Sequence, residues 1–395
     1  MTELARVALA GPPTGDPGRP LLCPTGPAVV LGGADPFAGA VSPSPTSLFG
    51  PRGACLGGDG SLWIADTGHH RLLGYRERPL SDGRPADWVL GQPDMRSEGR
   101  NALGPASSRT LNVPTGVARW GDRGLAVADA WNNRVLVWRE APRASDTPAD
   151  LVLGQASFDA QEPNRGRATA GADTMHWPFQ VKVVDDRVYV ADGGNRRVLV
   201  WHGLPSESGQ PADGVLGQPS LDERSDNGGA GVGPGTFRWP HDLAVLDGRL
   251  LVTDAGNNRV LVWDGFPDGG MPSATVVLGQ SDFASVDHNQ GAYWPGPSSV
   301  NMPYALDAAA GWVLVADTAN SRLVGFRAPL ADGQAAVALT GQPHFGAKGD
   351  NRWGPPVRDS LCWPYGLALA EDRTAVVADT GNHRVLLWPL AEGIG

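Results

Sequence analysis

The sequence of 395 residues contains few cysteines and no long hydrophobic run. The cysteines are Cys23, Cys55 and Cys362, an odd number in which no pair has the spacing of metal ligands. A disulfide framework is therefore not expected, which is typical of proteins from a reducing compartment. No apolar run reaches the ~18 residues of a membrane-spanning helix, and the first residues lack the apolar core of a signal peptide. We expect a cytoplasmic protein with no membrane partner.

Positive charge is also scarce, because 32 Lys and Arg residues stand against 42 Asp and Glu, giving a net charge of −10. An acidic chain repels the phosphate backbone of nucleic acids, and no run of basic residues is present. A nucleic-acid partner is therefore not expected. Five Tyr and nine Phe stand against fourteen Trp. Most of the Trp residues occupy repeat-equivalent positions, which favours a structural role for them.

Three motifs recur together about every 62 residues along most of the chain. The first is Leu-Gly-Gln, ending at Gln92, Gln155, Gln218 and Gln280, with a variant ending at Gln342 and a weaker copy at residues 31–33. The second is an Asp followed five residues later by an Arg, at Asp66, Asp129, Asp192, Asp254, Asp317 and Asp379. The third is a proline, at Pro51, Pro114, Pro178, Pro240, Pro303 and Pro364. Three motifs in one register indicate six equivalent structural units.

Each unit has the pattern of four β-strands, a to d. In the fourth unit, an apolar run over residues 242–246 precedes Asp247-Gly248, a dipeptide typical of hairpin turns. Three further runs over 249–253, 259–263 and 275–279 are rich in Val, Leu and Trp, as strand packing favours. Four-stranded units repeated around a channel form a β-propeller. The sequence therefore predicts an all-β, six-bladed propeller.

The predicted organisation has an N-terminal extension over residues 1–26, a propeller over 27–390 and a tail over 391–395. The predicted blades span about 51–91, 114–154, 178–217, 240–279, 303–341 and 364–388. The sixth unit stops after its third strand, whereas residues 27–32 form an isolated outer strand. We expect this strand to complete the sixth blade and so close the ring.

The segment Ala-Asp-Thr-Gly-Asn-His-Arg-Val at residues 378–385 resembles the NHL repeat, as do the equivalent segments at 65–72, 128–135, 191–198, 253–260 and 316–323. The resemblance covers residues 28–388 and implies a propeller similar to bacterial NHL-repeat proteins. Such propellers include peptidyl-hydroxyglycine amidating lyases, strictosidine-synthase-like and lactonase-like enzymes, and protein-binding scaffolds. The fold therefore does not select the activity. The Asp, Arg and Gln residues that recur from blade to blade are expected to be structural.

Chemistry is expected where the repeats differ from one another. In four-stranded propellers the d–a and b–c loops emerge on one face, and the d–a loops here are long, which makes that face the functional candidate. The residues that follow the six prolines are Arg52, Thr115, Phe179, His241, Tyr304 and Tyr365. This uneven set of side chains predicts an aromatic-lined axial site with a few polar groups, as ligand pockets tend to be.

His241 is the first candidate for catalysis, because imidazole titrates near neutral pH and suits a general base. Tyr304 or Tyr365 would act as acid or hydrogen-bond donor, and Arg52 or Arg238 would bind an anionic group. The expected substrate-binding residues are Arg238, Trp177, Phe179, Trp239, Trp363, Asn112 and Asn301.

A metal site is the alternative, held by His176, His241 and Cys362, whose imidazole and thiolate groups suit zinc or copper. Pro240-His241 also resembles the element that holds zinc in the amidating lyases. The equivalent positions in the other blades hold no second histidine, so amidating-lyase activity itself is not expected. Under a structural reading, Cys362 is a small buried hydrophobe and His176 caps a loop.

Two functions remain open. The first is binding of a small organic molecule or peptide, with lyase, isomerase or hydrolase chemistry that either uses a divalent metal cofactor such as zinc or copper or needs none. The second is a non-catalytic protein–protein interaction scaffold that uses the same face of the propeller.

Overall fold

A computed structural model describes residues 15–33 and 41–394. In these ranges the chain forms 25 β-strands and eleven single-turn 3-10 helices. The strands build six sheets, and the innermost strands of neighbouring sheets contact one another around a common axis. The all-β, six-bladed propeller expected from the sequence is thereby confirmed. None of the helical segments in the described ranges has the length and apolar character to cross a bilayer.

Within each blade, strands a to d pair antiparallel from the axis outwards. The strands are β1 (Arg19–Pro20) and β2 (Val29–Gly32); β3 (Gly53–Leu56), β4 (Leu62–Asp66), β5 (Arg71–Tyr75) and β6 (Trp88–Leu90) of blade 1; β7 (Pro114–Trp120), β8 (Gly124–Asp129), β9 (Arg134–Trp138) and β10 (Leu151–Leu153) of blade 2; β11 (Pro178–Val184), β12 (Arg187–Asp192), β13 (Arg197–His202) and β14 (Gly214–Leu216) of blade 3; β15 (Pro240–Leu246), β16 (Arg249–Asp254), β17 (Arg259–Asp264) and β18 (Val276–Leu278) of blade 4; β19 (Pro303–Ala309), β20 (Trp312–Asp317), β21 (Arg322–Arg327) and β22 (Ala338–Thr340) of blade 5; and β23 (Pro364–Leu369), β24 (Thr374–Asp379) and β25 (Arg384–Pro389) of blade 6.

The 3-10 helices lie in the two sets of loops on one face of the ring. Those in the b–c turns are Thr67–His69, Ala130–Asn132, Gly193–Asn195, Ala255–Asn257, Thr318–Asn320 and Thr380–Asn382. Those in the d–a loops are Arg100–Leu103, Pro163–Gly166, Asp226–Gly229, His288–Gly291 and Asp350–Trp353.

The ring closes through β2, which pairs antiparallel with β25 and places Val29 opposite Leu387 and Leu31 opposite Val385. Blade 6 therefore has three strands from the C-terminal part of the chain and one from the N-terminal part, as expected. Residues just before β2 also join the ring, because β1 pairs parallel with β22 of blade 5. Leu21 is fully buried between blades 5 and 6, so the described part of the predicted N-terminal extension packs onto the propeller. Burial of apolar surface drives this packing.

The core consists of six apolar clusters, each shared by two neighbouring blades. Tryptophans near the end of strand c contribute to them: Trp138, Trp201 and Trp263 are almost fully buried. Their indole N–H groups donate to the carbonyl oxygens of Thr147, Gln210 and Pro272 in the c–d connections. The repeated tryptophans are thus structural in these blades, as expected.

The recurring Asp and Arg form a buried ion pair in every blade, with Nε–Oδ2 distances of 2.7–3.0 Å. In blade 4, the Arg259 guanidinium also donates to carbonyl oxygens of two d–a loops, at Phe283, Gly233 and Thr236. Asp254 Oδ1 accepts the N–H of Arg238 at the end of a d–a loop. These pairs hold the d–a loops, which carry most of the candidate site residues, against the b–c turns.

Candidate functional site

The residues that follow the six prolines meet around the axis. Together they line one small cavity: Arg52, Thr115, Phe179, His241, Tyr304 and Tyr365. Each stands at the first or second residue of strand a or immediately before it, and strand a is the innermost strand of each blade. The structure therefore brings together the six side chains that follow the repeated prolines.

These axial side chains stack on one another and leave little space. The His241 ring lies between Phe179 and Tyr304, at centroid distances of 4.0 and 4.2 Å and nearly parallel. Tyr304 contacts Tyr365 at 4.5 Å, and the Arg52 guanidinium lies over the Tyr365 ring at 4.8 Å. The remaining cavity is about 30 Å³, enough for about one water molecule. The open aromatic pocket expected from the sequence is filled by its own walls, because flat rings at adjacent positions gain more by stacking.

Burial also changes the chemistry of His241. It lowers the pKa of the imidazole to about 3, and the nearby Arg52 charge acts in the same direction. Nδ1 lies 3.0 Å from the carbonyl oxygen of Trp239, so the neutral ring donates Nδ1–H there. An imidazole with this pKa is a weak base at neutral pH. The structure therefore does not support the general-base role expected from the sequence, and burial is the reason.

The three expected metal ligands are not assembled into a site. Among residues 15–33 and 41–394, no group of three His, Cys, Asp or Glu side chains is arranged to hold a metal ion. His176 packs on Trp177 and Gly194, whereas Cys362 packs on Gly381. Burial, with the charges of Asp350 and Asp379, raises the pKa of the Cys362 thiol to about 12. Each residue is held at the loop end of its own blade, which is why they do not converge.

A larger cleft lies beside the axial stack on the same face. Its volume is about 390 Å³, within the range of small-molecule sites. We call it the blade-4 cleft; it is lined by Arg196, Asp226, Arg238, Trp239, Ala255, Gly256, Asn258, His288, Asn301 and Met302. Three of these, Arg238, Trp239 and Asn301, are predicted substrate-binding residues. The sequence thus found part of this cleft but placed it on the axis.

A hydrogen bond repeated in five blades explains why the cleft is at blade 4. In those blades the residue before the repeated proline donates its N–H to the side chain of the last residue of the b–c turn in the preceding blade. The donors and acceptors are Gly50 and His383, Val113 and His70, Trp177 and Asn133, Met302 and Asn258, and Trp363 and Ser321. All five donors have left-handed backbone, with φ between 49° and 56°. This bond ties each d–a loop to the preceding blade.

Blade 4 departs from this rule, because the acceptor position in blade 3 is Arg196, and arginine has no acceptor atom. Trp239 instead donates its N–H to Asp254, at 3.2 Å, and is absent from the residues with left-handed backbone. The carbonyl of Trp239 accepts the N–H of Ala255. In the other five blades the corresponding acceptor is the residue two before the proline. The hydrogen-bonding pattern is therefore shifted by one residue here, and the cleft opens where the d–a loop of blade 4 lacks its bond to blade 3.

Two arginines and one carboxylate dominate the electrostatics of the cleft. Arg196 Nε lies 2.6 Å from Asp226 Oδ1, and Arg238 Nε lies 3.8 Å from Asp226 Oδ2. All three side chains are between one third and just over one half exposed. The group carries a net positive charge in a chain that is acidic overall. Trp239 is 37% exposed and offers an indole surface beside the charges.

The other predicted substrate-binding residues lie outside the cleft. Trp177 is exposed on the same face and packs on His176 at a ring distance of 4.7 Å. Trp363 lies 6.3 Å from Tyr365, at the edge of the axial stack. Asn112 is buried, and its N–H is bound by Asp129. These residues support the loop face without lining the cleft.

Sequence reasoning missed Arg196 and Asp226 in the cleft, and the acceptor roles of His70 and His383. A signal was present in the residue before the repeated Arg at the end of each b–c turn. These residues are His70, Asn133, Arg196, Asn258, Ser321 and His383, and among them only Arg196 has no acceptor atom. Burial lowers the pKa of His70 to about 4, which keeps its Nδ1 available as an acceptor.

Sequence comparison agrees with the fold. The NHL repeat family model matches residues 50–75 and 237–263, which lie in blades 1 and 4. No curated protein matches the chain in sequence. Fold and repeats together define a six-bladed β-propeller. Two of its six blades match the NHL repeat.

Several solved structures are similar to this chain. A gluconolactonase from Xanthomonas campestris has a TM-score of 0.48 and 14% sequence identity, covering 96% of this chain and 99% of that chain. A streptogramin B lyase has a TM-score of 0.47 and 10% identity, covering 89% and 95%. Hydrazine synthase of Kuenenia stuttgartiensis has a TM-score of 0.49 and 12% identity, covering 89% and 98%. At these TM-scores and identities, the likenesses carry no argument about activity.

Proposed function

We propose that the protein binds a small organic anion in the blade-4 cleft. The observation that supports this most directly is the hydrogen bond that is missing at Arg196. Five blades have a bond from the residue before the proline to the preceding blade, whereas blade 4 lacks it and has a cavity of about 390 Å³ there. Positions at which a repeat protein gives up a stabilising contact are expected to be functional ones. The site is thus on the face predicted from the sequence, beside the axis.

The chemistry of the cleft favours a carboxylate or phosphate joined to a flat apolar group. Arg238 is the less engaged of the two arginines, because its Nε lies 3.8 Å from Asp226, whereas Arg196 Nε lies 2.6 Å from it, so Arg238 is the partner for the anion. Guanidinium groups bind carboxylates and phosphates through two parallel hydrogen bonds. The exposed indole of Trp239 then provides a surface for the apolar part.

An enzymatic version of this function needs a proton-transfer group at the ligand. His241 is stacked in the axial column and has a pKa of about 3, whereas His288 lines the cleft itself. We therefore assign the acid–base role of any lyase, isomerase or hydrolase chemistry to His288. Substitution His288→Gln would then abolish turnover while leaving ligand affinity nearly unchanged.

Benzoate and phenyl phosphate are suitable probes, with benzyl alcohol as the uncharged control, and binding is followed by ligand-observed NMR. Arg238→Gln is expected to weaken binding of both anions about tenfold or more, the effect of losing a charge-assisted hydrogen bond. Arg196→Asn restores the residue type of blades 2 and 4 and is expected to narrow the cleft and weaken binding similarly. A crystal structure of Arg196→Asn should then show left-handed backbone at Trp239.

Arg249→Gln is the matched control, because Arg249 begins strand b of the same blade at the opposite end and pairs with Asp264. It should bind both anions like the wild type. The proposal is wrong if neither anion binds at millimolar concentration, or if both bind equally well to the wild type and to Arg238→Gln.

A protein-binding scaffold is the second candidate, supported by apolar side chains exposed on the same face. They lie in d–a loops and one b–c turn: Leu103, Trp131, Tyr293 and Trp353, of which Leu103 and Trp353 are more than 70% exposed. Exposed apolar patches often mark interaction surfaces. Capture of one protein from lysate that is lost in Trp353→Ser but retained in Arg238→Gln would favour this candidate over the first.

A further inference from the structure

A second cavity lies at the opposite end of the propeller axis, on the face of the a–b hairpins. Its volume is about 470 Å³, larger than the blade-4 cleft. Much of its wall is aliphatic, from the inner strands of four blades: Ala54, Leu56, Val117, Val183, Ala368 and Leu369. The stacked rings of Phe179, His241 and Tyr304 lie at the other end of these strands. This cavity and the blade-4 cleft are therefore on different faces.

Lys182 is one of the three basic side chains that line this cavity, with Arg78 and Arg119. Lysine is rare in the chain, which contains only Lys182 and Lys348 against thirty arginines. Lys182 lies in strand a of blade 3 and lines the cavity wall. Its ammonium makes no hydrogen bond or ion pair with any residue in the described ranges. Lys182 is partly exposed, and the three N–H donors of its ammonium have no acceptor from the described protein residues, so they are available to a ligand in the cavity.

Two carboxylates lie near the ammonium and are fixed by the backbone. Asp307 accepts the N–H groups of Ala308 and Leu369, at 2.9 and 2.8 Å. Asp242 accepts those of Leu243 and Leu306, at 2.7 and 3.2 Å. Each carboxylate thus bridges its own blade and the next one, so neither is free to move towards the ammonium.

These charges offset one another. Burial alone would lower the pKa of the Lys182 ammonium, but the charges of Asp307 and Asp242 outweigh it and raise this pKa. Burial raises the pKa of Asp242 to about 6. The cavity lining carries three basic side chains, Lys182, Arg78 and Arg119, and three acidic ones, Asp307, Glu371 and Asp372, so that its charges balance in number. An anion would be attracted by Lys182 and repelled by the carboxylates, whereas a cation would be repelled by Lys182 and attracted by the carboxylates.

We propose that this axial cavity binds a small, uncharged molecule with several hydroxyl groups. One hydroxyl oxygen accepts a hydrogen bond from the Lys182 ammonium, while hydroxyl groups donate to the remaining lone pairs of Asp307. The carbon chain of the molecule packs on the aliphatic wall. This site shares no lining residue with the blade-4 cleft, so it does not depend on the function proposed there.

Three probes with the same six-carbon chain test this charge argument: sorbitol, gluconate and glucamine, which carry a hydroxyl, a carboxylate and an ammonium group at one end. Acetic anhydride labels lysine side chains, and peptide mass spectrometry measures each site separately. Sorbitol is expected to protect Lys182 several-fold and to leave Lys348 unchanged. Lys348 is the internal control, because it lies on the other face over the Tyr293 ring.

Gluconate and glucamine should protect Lys182 less than sorbitol does. Lys182→Met should lose sorbitol binding in ligand-observed NMR, and Lys348→Met should keep it. The labelling measurement uses the wild-type protein, so it decides the matter even if Lys182→Met does not fold. Absence of sorbitol protection, equal protection of both lysines, or stronger protection by either charged probe would overturn the proposal. None of these outcomes bears on anion binding at Arg238.

Discussion

Substitution of His241 by phenylalanine should make the propeller more resistant to acid. The wild-type imidazole is 7% exposed, and burial lowers its pKa from an ordinary value of 6.5 to about 3. At a pH below 6.5 the unfolded chain therefore binds a proton at His241, whereas the folded chain binds one only when the pH approaches 3. The stability that the neutral imidazole contributes is present above pH 6.5 and is lost as the pH falls from 6.5 towards 3.

The size of this effect follows from the same two values. From about pH 7.5 to about pH 5, protonation of His241 in the unfolded chain costs the fold about 2 kcal/mol. Phenylalanine keeps the stack with Phe179 and Tyr304 and does not titrate. It loses the hydrogen bond to the Trp239 carbonyl, but Ala255 still donates to that oxygen. This loss is the same at both pH values and cancels in the difference.

Urea denaturation of both proteins at the two pH values measures this difference. The wild type should lose about 2 kcal/mol more than His241→Phe between about pH 7.5 and pH 5. His202→Gln, which changes an exposed histidine outside the stack, should behave like the wild type. Equal losses for the wild type and His241→Phe would refute the argument, because they would show that His241 is protonated within the fold.

Two further predictions concern buried charge. Arg259→Ala leaves the fully buried Asp254 without its charged partner and should lower the free energy of unfolding, measured in urea, by about 3–5 kcal/mol. Arg249→Ala, at the more exposed pair with Asp264, should lower it by about 1 kcal/mol or less. Similar losses for the two variants would contradict the structural role of the repeated pair. Asp242→Asn should have the opposite pH effect to His241→Phe, because burial raises the pKa of Asp242 to about 6. The wild type should lose about 2 kcal/mol of folding stability relative to this variant as the pH rises from about 4 to about 7. Parallel curves of stability against pH for the two proteins would contradict this.

Much of the candidate site could be identified from repeat positions. Counting from each proline found all six side chains around the axis, because a ring of equivalent units places equivalent residues at equal depth. It also found Arg238, Trp239 and Asn301 of the blade-4 cleft. It did not reveal that Phe179, His241 and Tyr304 fill the axial space, since stacking depends on distances between separate blades.

Arg196 and Lys182 show a second limit of position counting. Arg196 stands in a turn with variable polar residues, and its effect arises in the next blade, where Trp239 loses a hydrogen-bond acceptor. Lys182 stands four residues after its proline and attracts no notice in a strand of valines. Only the ring brings it near Asp242 and Asp307, which belong to two other blades.

The sequence by itself determined the architecture, because the hydrophobic periodicity, the turn residues and the Asp–Arg pairs are local features repeated in every blade. Ring closure by β2 also followed from it, since an isolated N-terminal strand and a sixth blade of three strands leave one arrangement in which every blade has four strands. Only the tertiary structure decided which spaces stay open. Those spaces depend on side chains from blades far apart in the chain, and packing of rings and charges at a few ångströms is not encoded in the spacing of residues within one repeat.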